Sequence, residues 1–387
     1  MSVRRLSLFA SLLVLLVAGL AHAAGPTMDT AAKQAVIIDV TTGRVLFEKN
    51  ADQRMPTSSM SKIMTAYMVF DAIKQGRLKM DDMLTVSRSA WGEGGKAGGS
   101  EMFLALGESV SVENLLRGVI IASGNDATRV LAEAIAGSEG AFAEQMTARA
   151  KKLGAMNTNF RNASGLPDPE HYSTARDLAI IGMALIRDFP EHYHFYSERE
   201  FTWNKIKQGN RNPLLYKGIG VDGMKTGHTE AAGYGLTASA ERNGRRIIMV
   251  MNGLPSMQAR ADEGANLIEF GFREYQMVDV ARPGEIIDNA GVWLGTQDRV
   301  PLTVAAPAKT VLSNEEKRTM KAVVRMPQTV KAPIAQGQPI GTLVLSTATG
   351  QPIEFPLVAA QPVERLGLFG RIGASLSYLL SGPPKTS

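Results

Sequence analysis

The heptapeptide Pro56-Thr57-Ser58-Ser59-Met60-Ser61-Lys62 decides how this chain is interpreted, because it offers a nucleophile and a base on one helical turn. It contains the only Ser-x-x-Lys of the sequence, which selects Ser59 over the neighbouring serines. The apolar run Ile63 to Ile73 predicts a helix here. Residues three apart share a helix face, so Ser59 and Lys62 should lie side by side. Lys62 can take the Ser59 proton only when it is neutral, which requires burial and a depressed pKa.

Composition limits the classes of function. With 387 residues, of which 44% are hydrophobic, the chain is long enough for two folded domains. A formal net charge of +5, without a basic run that carries interleaved aromatic residues, argues against nucleic acid as a partner. Cysteine is absent, which excludes disulfides and cysteine nucleophiles. We expect no metal and no cofactor, since His192-Tyr193-His194 has no nearby carboxylate set to complete a metal site.

The first 23 residues have the three parts of a secretory signal peptide. Arg4 and Arg5 precede the apolar run Leu6 to Leu20, and Ala21-His22-Ala23 provides a small-residue cleavage site. The sequence therefore predicts cleavage after Ala23 and export of the mature chain.

Patterns along the chain predict a sheet, a helical lobe and a second domain. Ala35 to Phe47 indicates a β-hairpin before the nucleophile, and Tyr234 to Met251 indicates another around Asn243-Gly244. Between them helical signals dominate, with a helix capped by Ser111 and a break at Ser123-Gly124-Asn125. From about residue 275, short alternating runs with glycine and proline predict a small all-β domain.

Two further motifs follow the nucleophile: Ser123-Gly124-Asn125 and Lys225-Thr226-Gly227. Acyl transfer from a peptide needs a proton donor for the leaving amine and hydrogen-bond donors for the oxyanion, besides a nucleophile and its base. Ser123 offers a hydroxyl that can relay a proton to the leaving nitrogen. Asn125 offers an amide that can hold Lys62 or the substrate backbone.

The third motif has its own physical reasons. Lys225, as a fixed cation, should depress the basicity of Lys62 and attract an anionic substrate end. Gly227 should leave room for a substrate that lies against the strand edge as an added β-strand. The three motifs, in this order and tens of residues apart, resemble the signature of penicillin-interacting serine peptidases and β-lactamases.

The resemblance extends to low-molecular-mass penicillin-binding proteins of the serine-type D-alanyl-D-alanine carboxypeptidase family. It includes Val221-Asp222-Gly223, the run His228 to Tyr234, and Ser173 to Asp177. It implies removal of the terminal D-alanine from the pentapeptide stem of peptidoglycan through an acyl-enzyme, and acylation of the same serine by β-lactams. The implied fold is α+β and β-lactamase/D,D-peptidase-like: an antiparallel sheet with a helical lobe, followed by a small all-β domain and a C-terminal amphipathic helix.

The resemblance also implies further site residues and the domain bounds. Backbone N–H groups of Ser59 and His228 would form the oxyanion hole, and Arg260, with Lys225 and Thr226, would meet the terminal carboxylate of the substrate. The expected units are a signal peptide (1–23), a peptidase domain (24–274), an all-β domain (275–360) and a tail (361–387).

The tail predicts attachment to a membrane surface. From Val363 to Leu380, apolar residues recur at helical spacing. Roughly eighteen residues that include charges and glycines are too polar to span a bilayer, but they suit a helix lying in the headgroup plane. We therefore expect a peripheral protein on the periplasmic face of the cytoplasmic (inner) membrane. The alternative is a helix docked on the protein's own β domain.

Three other functions stay open at this point. A β-lactamase shares the motifs, although the Glu-x-x-Leu-Asn element of class A β-lactamases is absent. A D,D-endopeptidase is the second, although such relatives usually lack the β domain. A non-catalytic cell-wall-binding scaffold is the third. Outside the site, Arg176 and Asp177 are expected to form an ion pair within the lobe.

Overall fold

The computed structural model describes residues 28–92, 99–370 and 372–373. The predicted signal peptide and residues 374–380 of the predicted anchoring helix lie outside the described residues. The strands of the first region, in chain order, are β1 (Gln34–Asp39), β2 (Val45–Lys49), β3 (Met83–Thr85), β4 (Ser109–Ser111), β5 (Glu200–Trp203), β6 (Ile206–Gly209), β7 (Val221–Thr229), β8 (Gly233–Arg242) and β9 (Arg245–Leu254).

A five-stranded antiparallel sheet of order β2-β1-β9-β8-β7 organises this region. Both predicted hairpins are confirmed. Asn243 and Gly244 have φ values of 51° and 74°, and positive φ at both positions is what a two-residue type I′ turn requires. In this sheet β7 pairs only with β8, so β7 is an edge strand. The third motif lies on this edge.

Helices cover both faces of the sheet. They are α1 (Lys62–Lys74), α2 (Arg88–Trp91), α3 (Val112–Arg117), α4 (Asn125–Ala136), α5 (Glu139–Lys152), α6 (Ala175–Asp188) and α7 (Met257–Arg273). The predicted cap of α3 is confirmed, since the Ser111 side chain accepts a hydrogen bond from the Asn114 N–H. Alternate residues of a strand face opposite sides. Val36 and Ile38 accordingly lie in the core with the helical lobe, while Ile37 lies in a second core with α7.

The predicted ion pair between Arg176 and Asp177 is wrong. Neighbouring residues on a helix point in different directions. Arg176 instead pairs with Glu48 and Asp52, at 2.5 and 2.8 Å. Asp177 turns inward and accepts a hydrogen bond of 2.8 Å from the Thr158 hydroxyl. Arg176 therefore connects the lobe to the β2 segment, and Asp177 fixes the interior of the lobe.

A second domain follows α7. Its elements are β10 (Tyr275–Ala281), β11 (Asp288–Trp293), β12 (Arg299–Val304), β13 (Ala308–Ser313), α8 (Asn314–Thr319), β14 (Lys321–Arg325), β15 (Thr329–Lys331), β16 (Pro339–Ser346) and β17 (Ile353–Ala359). Six strands form a sheet of order β14-β16-β17-β12-β11-β15, and β10 pairs with β13. The β domain is confirmed, with one short helix started by a capping box of Ser313 and Glu316.

The β10–β13 pair joins the two domains. Tyr275 and Val311 belong to the core under α7. Arg44, just before β2, pairs with Glu316 at 2.5 Å. The buried Arg245 guanidinium bonds to Asp39 at 2.9 Å and to the Tyr275 carbonyl at 2.6 Å. The β domain is thus held against the peptidase sheet by apolar packing and by charge-assisted hydrogen bonds.

The tail begins differently from its prediction. Val363 is 1% exposed and forms a bridge with Ile334, and Arg365 forms one with Gly295. This segment is therefore an edge of the β domain and not helix, because its backbone donors and acceptors are used by neighbouring strands. Helical residues begin at Leu368. No helix within the described ranges is long and apolar enough to cross a membrane.

Candidate active site

Ser59 and Lys62 meet where α1 begins. Ser58–Ser61 forms one turn of 3-10 helix that leads directly into α1. The Lys62 Nζ lies 3.0 Å from the Ser59 Oγ, as the spacing predicts. Ser59 is half-buried, whereas Lys62 is only 1% exposed. The Ser59 hydroxyl can be reached from outside, while the Lys62 amine is withdrawn from water.

The surroundings of Lys62 suit a neutral amine. Its Nζ donates to the Asn125 Oδ1 and to the Ser164 carbonyl oxygen, both at 2.7 Å. Both of these oxygens only accept hydrogen bonds. A neutral amine has two N–H bonds and one lone pair, so these two donations leave the lone pair for the Ser59 hydroxyl. Lys62 is therefore arranged to accept the Ser59 proton.

Electrostatics favour the same protonation state. Burial, followed by the Arg211 guanidinium, lowers the pKa of Lys62 from 10.5 to about 7, against the carboxylates of Asp126 and Glu139. A change of this size corresponds to about 5 kcal/mol. The sequence prediction gave this role to Lys225, and repulsion between Lys62 and Lys225 acts on the pKa of Lys225. Arg211 is the main cation that acts on Lys62.

Lys225 is buried, which disfavours its charged form. It is 2% exposed, and its pKa lies well below the usual value because of burial and then repulsion from Lys62, Arg211 and Arg260. Removing two ammonium groups from water so close together is unfavourable. A bound carboxylate would favour the charged form of Lys225.

The second motif lies at a distorted junction between α3 and α4. A π-helical turn, Gly118–Ala122, ends at Ser123, whose φ of 61° is left-handed. Ser123 is 1% exposed, and its Oγ has no hydrogen-bond partner among the described residues. Asn125 starts α4 and holds Lys62. An unpaired buried hydroxyl is costly, which is typical of a group that functions with a substrate.

Asp126 fixes this junction, and the sequence analysis missed it. Its carboxylate accepts backbone hydrogen bonds from Met102 at 2.9 Å and from Leu104 at 3.1 Å. A side chain at Gly124 would meet the Asp126 Oδ1 at 2.7 Å and the Met102 nitrogen at 2.9 Å. The glycine of this motif is therefore required by the close approach of the 99–104 segment.

Gly227 has a different role from the predicted one. A Cβ at this position would lie 2.8 Å from the Thr57 carbonyl oxygen and 3.1 Å from the Ser58 Cβ. The missing side chain therefore makes room for the turn that carries Ser59. It allows β7 to lie directly against that turn.

A cavity of about 390 Å³ opens beside Ser59. It brings together residues from all three motifs with two arginines, and its lining is Ser59, Ser100, Ser123, Arg211, Thr226, Gly227, His228, Tyr234, Met257 and Arg260. Ser59 and His228, predicted to supply the oxyanion-hole N–H groups, both line it. Lys62, Asn125 and Lys225 are buried and do not line the cavity.

Two guanidinium groups give the cavity its charge preference. Arg260 lies over the Tyr234 ring at 5.6 Å, and its Nε has no hydrogen-bond partner among the described residues. Arg211, which the sequence analysis missed, donates to the Ser100 hydroxyl. No motif or spacing points to Arg211, because it enters from the loop before β7. A planar guanidinium pairs well with a carboxylate, so this cavity suits an anionic substrate end.

The two neighbouring histidines are packing residues. His192 stacks on Phe70 with ring centroids 4.9 Å apart, and His194 stacks on Phe195 at 4.4 Å. Within the part of the chain that the structure describes, no group of three histidine, aspartate or glutamate side chains is arranged to hold a metal ion.

Comparison with known families gives two matches that together follow the domain organisation. Residues 21–255 match the family described as D-alanyl-D-alanine carboxypeptidase. Residues 275–365 match the C-terminal domain of penicillin-binding protein 5. The second match ends at Arg365, where the structure ends the β domain.

Similar proteins agree with these matches. The chain is 41% identical over 353 residues to D-alanyl-D-alanine carboxypeptidase DacC of Escherichia coli K12, which covers 90% of this chain and 87% of that protein. The structure of penicillin-binding protein 5 from Haemophilus influenzae superposes with a TM-score of 0.78 at 41% identity, over 88% of this chain and 100% of that one. Penicillin-binding protein D2 of Listeria monocytogenes, in a cefotaxime-bound form, has a TM-score of 0.58 at 32% identity, over 64% of this chain and 100% of that one.

Proposed function

The chain belongs to the D-alanyl-D-alanine carboxypeptidase family of serine hydrolases, and we propose that Ser59 is its nucleophile toward the peptidoglycan pentapeptide. The reaction is hydrolysis of the terminal D-Ala-D-Ala bond. The Ser59 Oγ attacks the carbonyl carbon of the penultimate D-alanine, the C–N bond breaks, and the terminal D-alanine leaves as an amine. Water then hydrolyses the acyl-enzyme ester and restores the Ser59 hydroxyl.

One observation carries this proposal: the buried Lys62 Nζ has two acceptor-only partners and lies 3.0 Å from the Ser59 Oγ. In our mechanism the neutral amine takes the Ser59 proton during attack. Ser123, buried and without a partner among the described residues, passes a proton to the leaving nitrogen. Backbone N–H groups of Ser59 and His228 stabilise the oxyanion.

The terminal carboxylate is the feature that selects the substrate. Arg260, Thr226 and Arg211 line the cavity, and Lys225 lies behind it. A carboxylate there gains charge-assisted hydrogen bonds. Converting it to an amide should lower the rate roughly ten- to a hundredfold, the effect of losing such a contact. If the acid and the amide substrates are cleaved equally fast, the enzyme does not recognise the terminal carboxylate and has the specificity of an endopeptidase instead.

β-Lactams should acylate the same serine, since a β-lactam presents an amide carbonyl beside a carboxylate. Intact-mass measurement after incubation with penicillin should show one added acyl group, located by peptide mapping on Ser59. Ser59→Ala should abolish the label and the peptidase activity. Ser58→Ala is the matched control and should keep both, since within the described residues the Ser58 hydroxyl donates to Thr229, at 3.2 Å, and to no other group. A label that persists in Ser59→Ala refutes the assignment.

Of the alternatives, a β-lactamase, an endopeptidase and a non-catalytic scaffold are each less well supported than a carboxypeptidase. The family match covers the peptidase region, and the E. coli relative carries the carboxypeptidase name. The scaffold alternative predicts no acylation by penicillin, so the mass measurement also tests it.

We further propose that the exported chain attaches to the outer face of the cytoplasmic membrane through its tail. Leu368, Phe369 and Ile372 are 62%, 87% and 55% exposed at the start of the tail helix. Exposed apolar side chains at one end of a protein are typical of an interaction surface. With a basic mature chain, anionic lipid is the expected partner.

Vesicle sedimentation tests this attachment. A truncation after Gly367 keeps Val363 and Arg365 in the β domain, so peptidase activity should persist while co-sedimentation with anionic vesicles is lost. In the full chain, Phe369→Asp should weaken binding. Val323→Asp, at a position 61% exposed on β14, is the control and should not. Undiminished sedimentation of the truncated protein refutes the proposal.

A further inference from the structure

A cavity of about 660 Å³, called the junction cavity below, opens where the two domains meet. Its walls come from three segments: the turn at 41–44 in the peptidase domain, and residues 307–310 and 351–355 in the β domain. No residue of this cavity lines the active-site cavity. Its volume falls within the usual range of small-ligand sites, about 300 to 1,000 Å³.

The junction cavity is separate from the catalytic centre. The 41–44 turn leads into β2, at one edge of the five-stranded sheet, whereas the third motif lies on β7 at the opposite edge. Neighbouring strands are about 4.8 Å apart, so these two edges are roughly 19 Å apart. A ligand in the junction cavity is therefore out of reach of Ser59.

Three neutral polar side chains of the junction cavity have unused hydrogen-bonding capacity. Within the described ranges, the side chains of Thr41, Thr310 and Gln351 form no hydrogen bond. Thr310 is only 4% exposed, and a buried hydroxyl without a partner is costly. Hydroxyl and amide groups both donate and accept hydrogen bonds. The cavity thus offers donors and acceptors to the hydroxyl and amide groups of a ligand.

The two cations that line the junction cavity are already neutralised. Arg44 pairs with Glu316 at 2.5 Å and also donates to the Val311 carbonyl oxygen. Lys309 pairs with Asp279 at 3.3 Å. An anionic ligand would have to compete with these carboxylates, so it would gain little from either cation. The balance of charge therefore favours a neutral ligand.

Apolar rings complete the lining. Pro307, Pro352 and Phe355 place carbon surfaces beside the three polar side chains. A lipid chain would cover the hydroxyls without bonding to them, which is unfavourable. A sugar ring has apolar C–H faces and an edge of hydroxyl groups, so it satisfies both parts of the lining. We propose that the junction cavity is a binding site for a neutral saccharide.

The wall formed by the 41–44 turn is fixed before any ligand binds. The Thr42 N–H and hydroxyl both donate to the Asp39 Oδ1, each at 2.9 Å. The Gly43 N–H donates to the Asp39 carbonyl oxygen at 2.8 Å. The buried Arg245 guanidinium holds the other carboxylate oxygen of Asp39 at 2.9 Å. Since the turn is already ordered, binding a saccharide there costs little conformational entropy.

A saccharide site has a use in the proposed function, on which this step rests. The pentapeptide stem is attached to a glycan, so the junction cavity gives the enzyme a second contact with the same polymer. A stem of five residues extends over about 17 Å at most, which is less than the separation of the two sheet edges. The sugar in the junction cavity therefore belongs to another part of the glycan than the sugar that carries the cleaved stem. The cavity should increase affinity for the polymer and have no effect on free peptides.

Calorimetric titration of the full chain with chitotetraose, a neutral oligomer of N-acetylated amino sugars, tests the site directly. The parent protein should bind this oligomer. Thr310→Val combined with Gln351→Ala should weaken binding roughly tenfold or more, the effect of losing two hydrogen bonds. Valine keeps the shape of the threonine side chain, so thermal unfolding of this double variant should be unchanged. The control is Thr342→Val combined with Gln328→Ala, at positions of the β domain outside the cavity, and it should bind as the parent does.

Release of D-alanine from peptidoglycan that contains pentapeptide stems is the second measurement. The double variant Thr310→Val and Gln351→Ala should have a severalfold higher KM for the polymer. Its kcat/KM for the free pentapeptide and its labelling by penicillin should equal those of the parent.

The outcomes separate the saccharide site from the proposed function. Absence of chitotetraose binding, or equal binding by the parent and the double variant, overturns the saccharide site and leaves the proposed function standing. Tighter binding of inorganic phosphate than of chitotetraose identifies an anion site and also overturns the proposal. Loss of penicillin labelling at Ser59 in the parent would instead overturn the proposed function, because chitotetraose binding does not depend on acylation.

Discussion

The pH dependence of acylation tests the arrangement of Lys62 most directly. Lys62 must be neutral to accept the Ser59 proton, and burial together with Arg211 lowers its pKa to about 7. The neutral fraction therefore rises with pH, from about a tenth at pH 6 to about nine tenths at pH 8. The second-order rate constant for acylation by penicillin should rise about tenfold over this range and level off above pH 8.

Replacing Arg211 by glutamine should move the midpoint of this pH profile to higher pH. Arg211 is the largest charge effect that lowers the pKa of Lys62. Losing a nearby charge of this kind costs on the order of 1 to 2 kcal/mol, which would raise the pKa of Lys62 by about one unit. The variant should react about fivefold more slowly than the parent at pH 7. The midpoint of the pH profile moves with the pKa of Lys62. The part of the rate loss that is caused by protonation of Lys62 should therefore disappear above pH 9. The assay is a stopped-flow or quenched acylation series from pH 5.5 to pH 10.

Two further variants separate the pKa effect from substrate binding. Arg211→Lys keeps a cation and should keep the midpoint near that of the parent. Arg260→Gln removes a guanidinium that pairs with the substrate carboxylate. The charge of Arg260 acts on the pKa of Lys225 rather than on that of Lys62, so this variant should lower the rate equally at every pH. If Arg211→Gln slows acylation without moving the midpoint of the pH profile, Arg211 does not set the protonation of Lys62. If the parent midpoint lies near 10, the pKa of Lys62 is not lowered.

Three other predictions follow from single contacts. Lys62→Arg should abolish acylation at every pH up to 10, because a guanidinium stays charged, and a folded variant that still reacts would remove Lys62 as the base. Gly227→Ala should lower acylation at least tenfold and destabilise the fold by about 1 to 3 kcal/mol, because its Cβ would meet the Thr57 carbonyl oxygen at 2.8 Å. The control is Gly140→Ala, which has open space around its Cβ and should be neutral or stabilising in thermal unfolding. Asp39→Asn should lower the free energy of unfolding by about 3 to 5 kcal/mol in chemical denaturation, because it leaves the buried Arg245 guanidinium without its carboxylate. An unchanged denaturation midpoint would contradict this.

The sequence by itself determined the features that depend on short spacings. Ser59 and Lys62 lie three residues apart, so any helical turn places them together, and the structure does so at 3.0 Å. Asn243-Gly244 defines its hairpin because positive φ is required at both positions. The β domain was predicted from strand periodicity in the same way. Local backbone geometry is enough for each of these features.

The tertiary structure decided which distant groups act on the local ones. Arg211 has no motif, and it becomes the cation beside Lys62 only because the loop before β7 folds over the cavity. Gly227 appears from sequence to serve the substrate, but packing assigns it to the Thr57 carbonyl. Val363 has helical periodicity, yet it pairs with Ile334 in the β domain. Charge, close approach and backbone pairing act through space, so they depend on which segments the fold brings together and not on spacing along the chain.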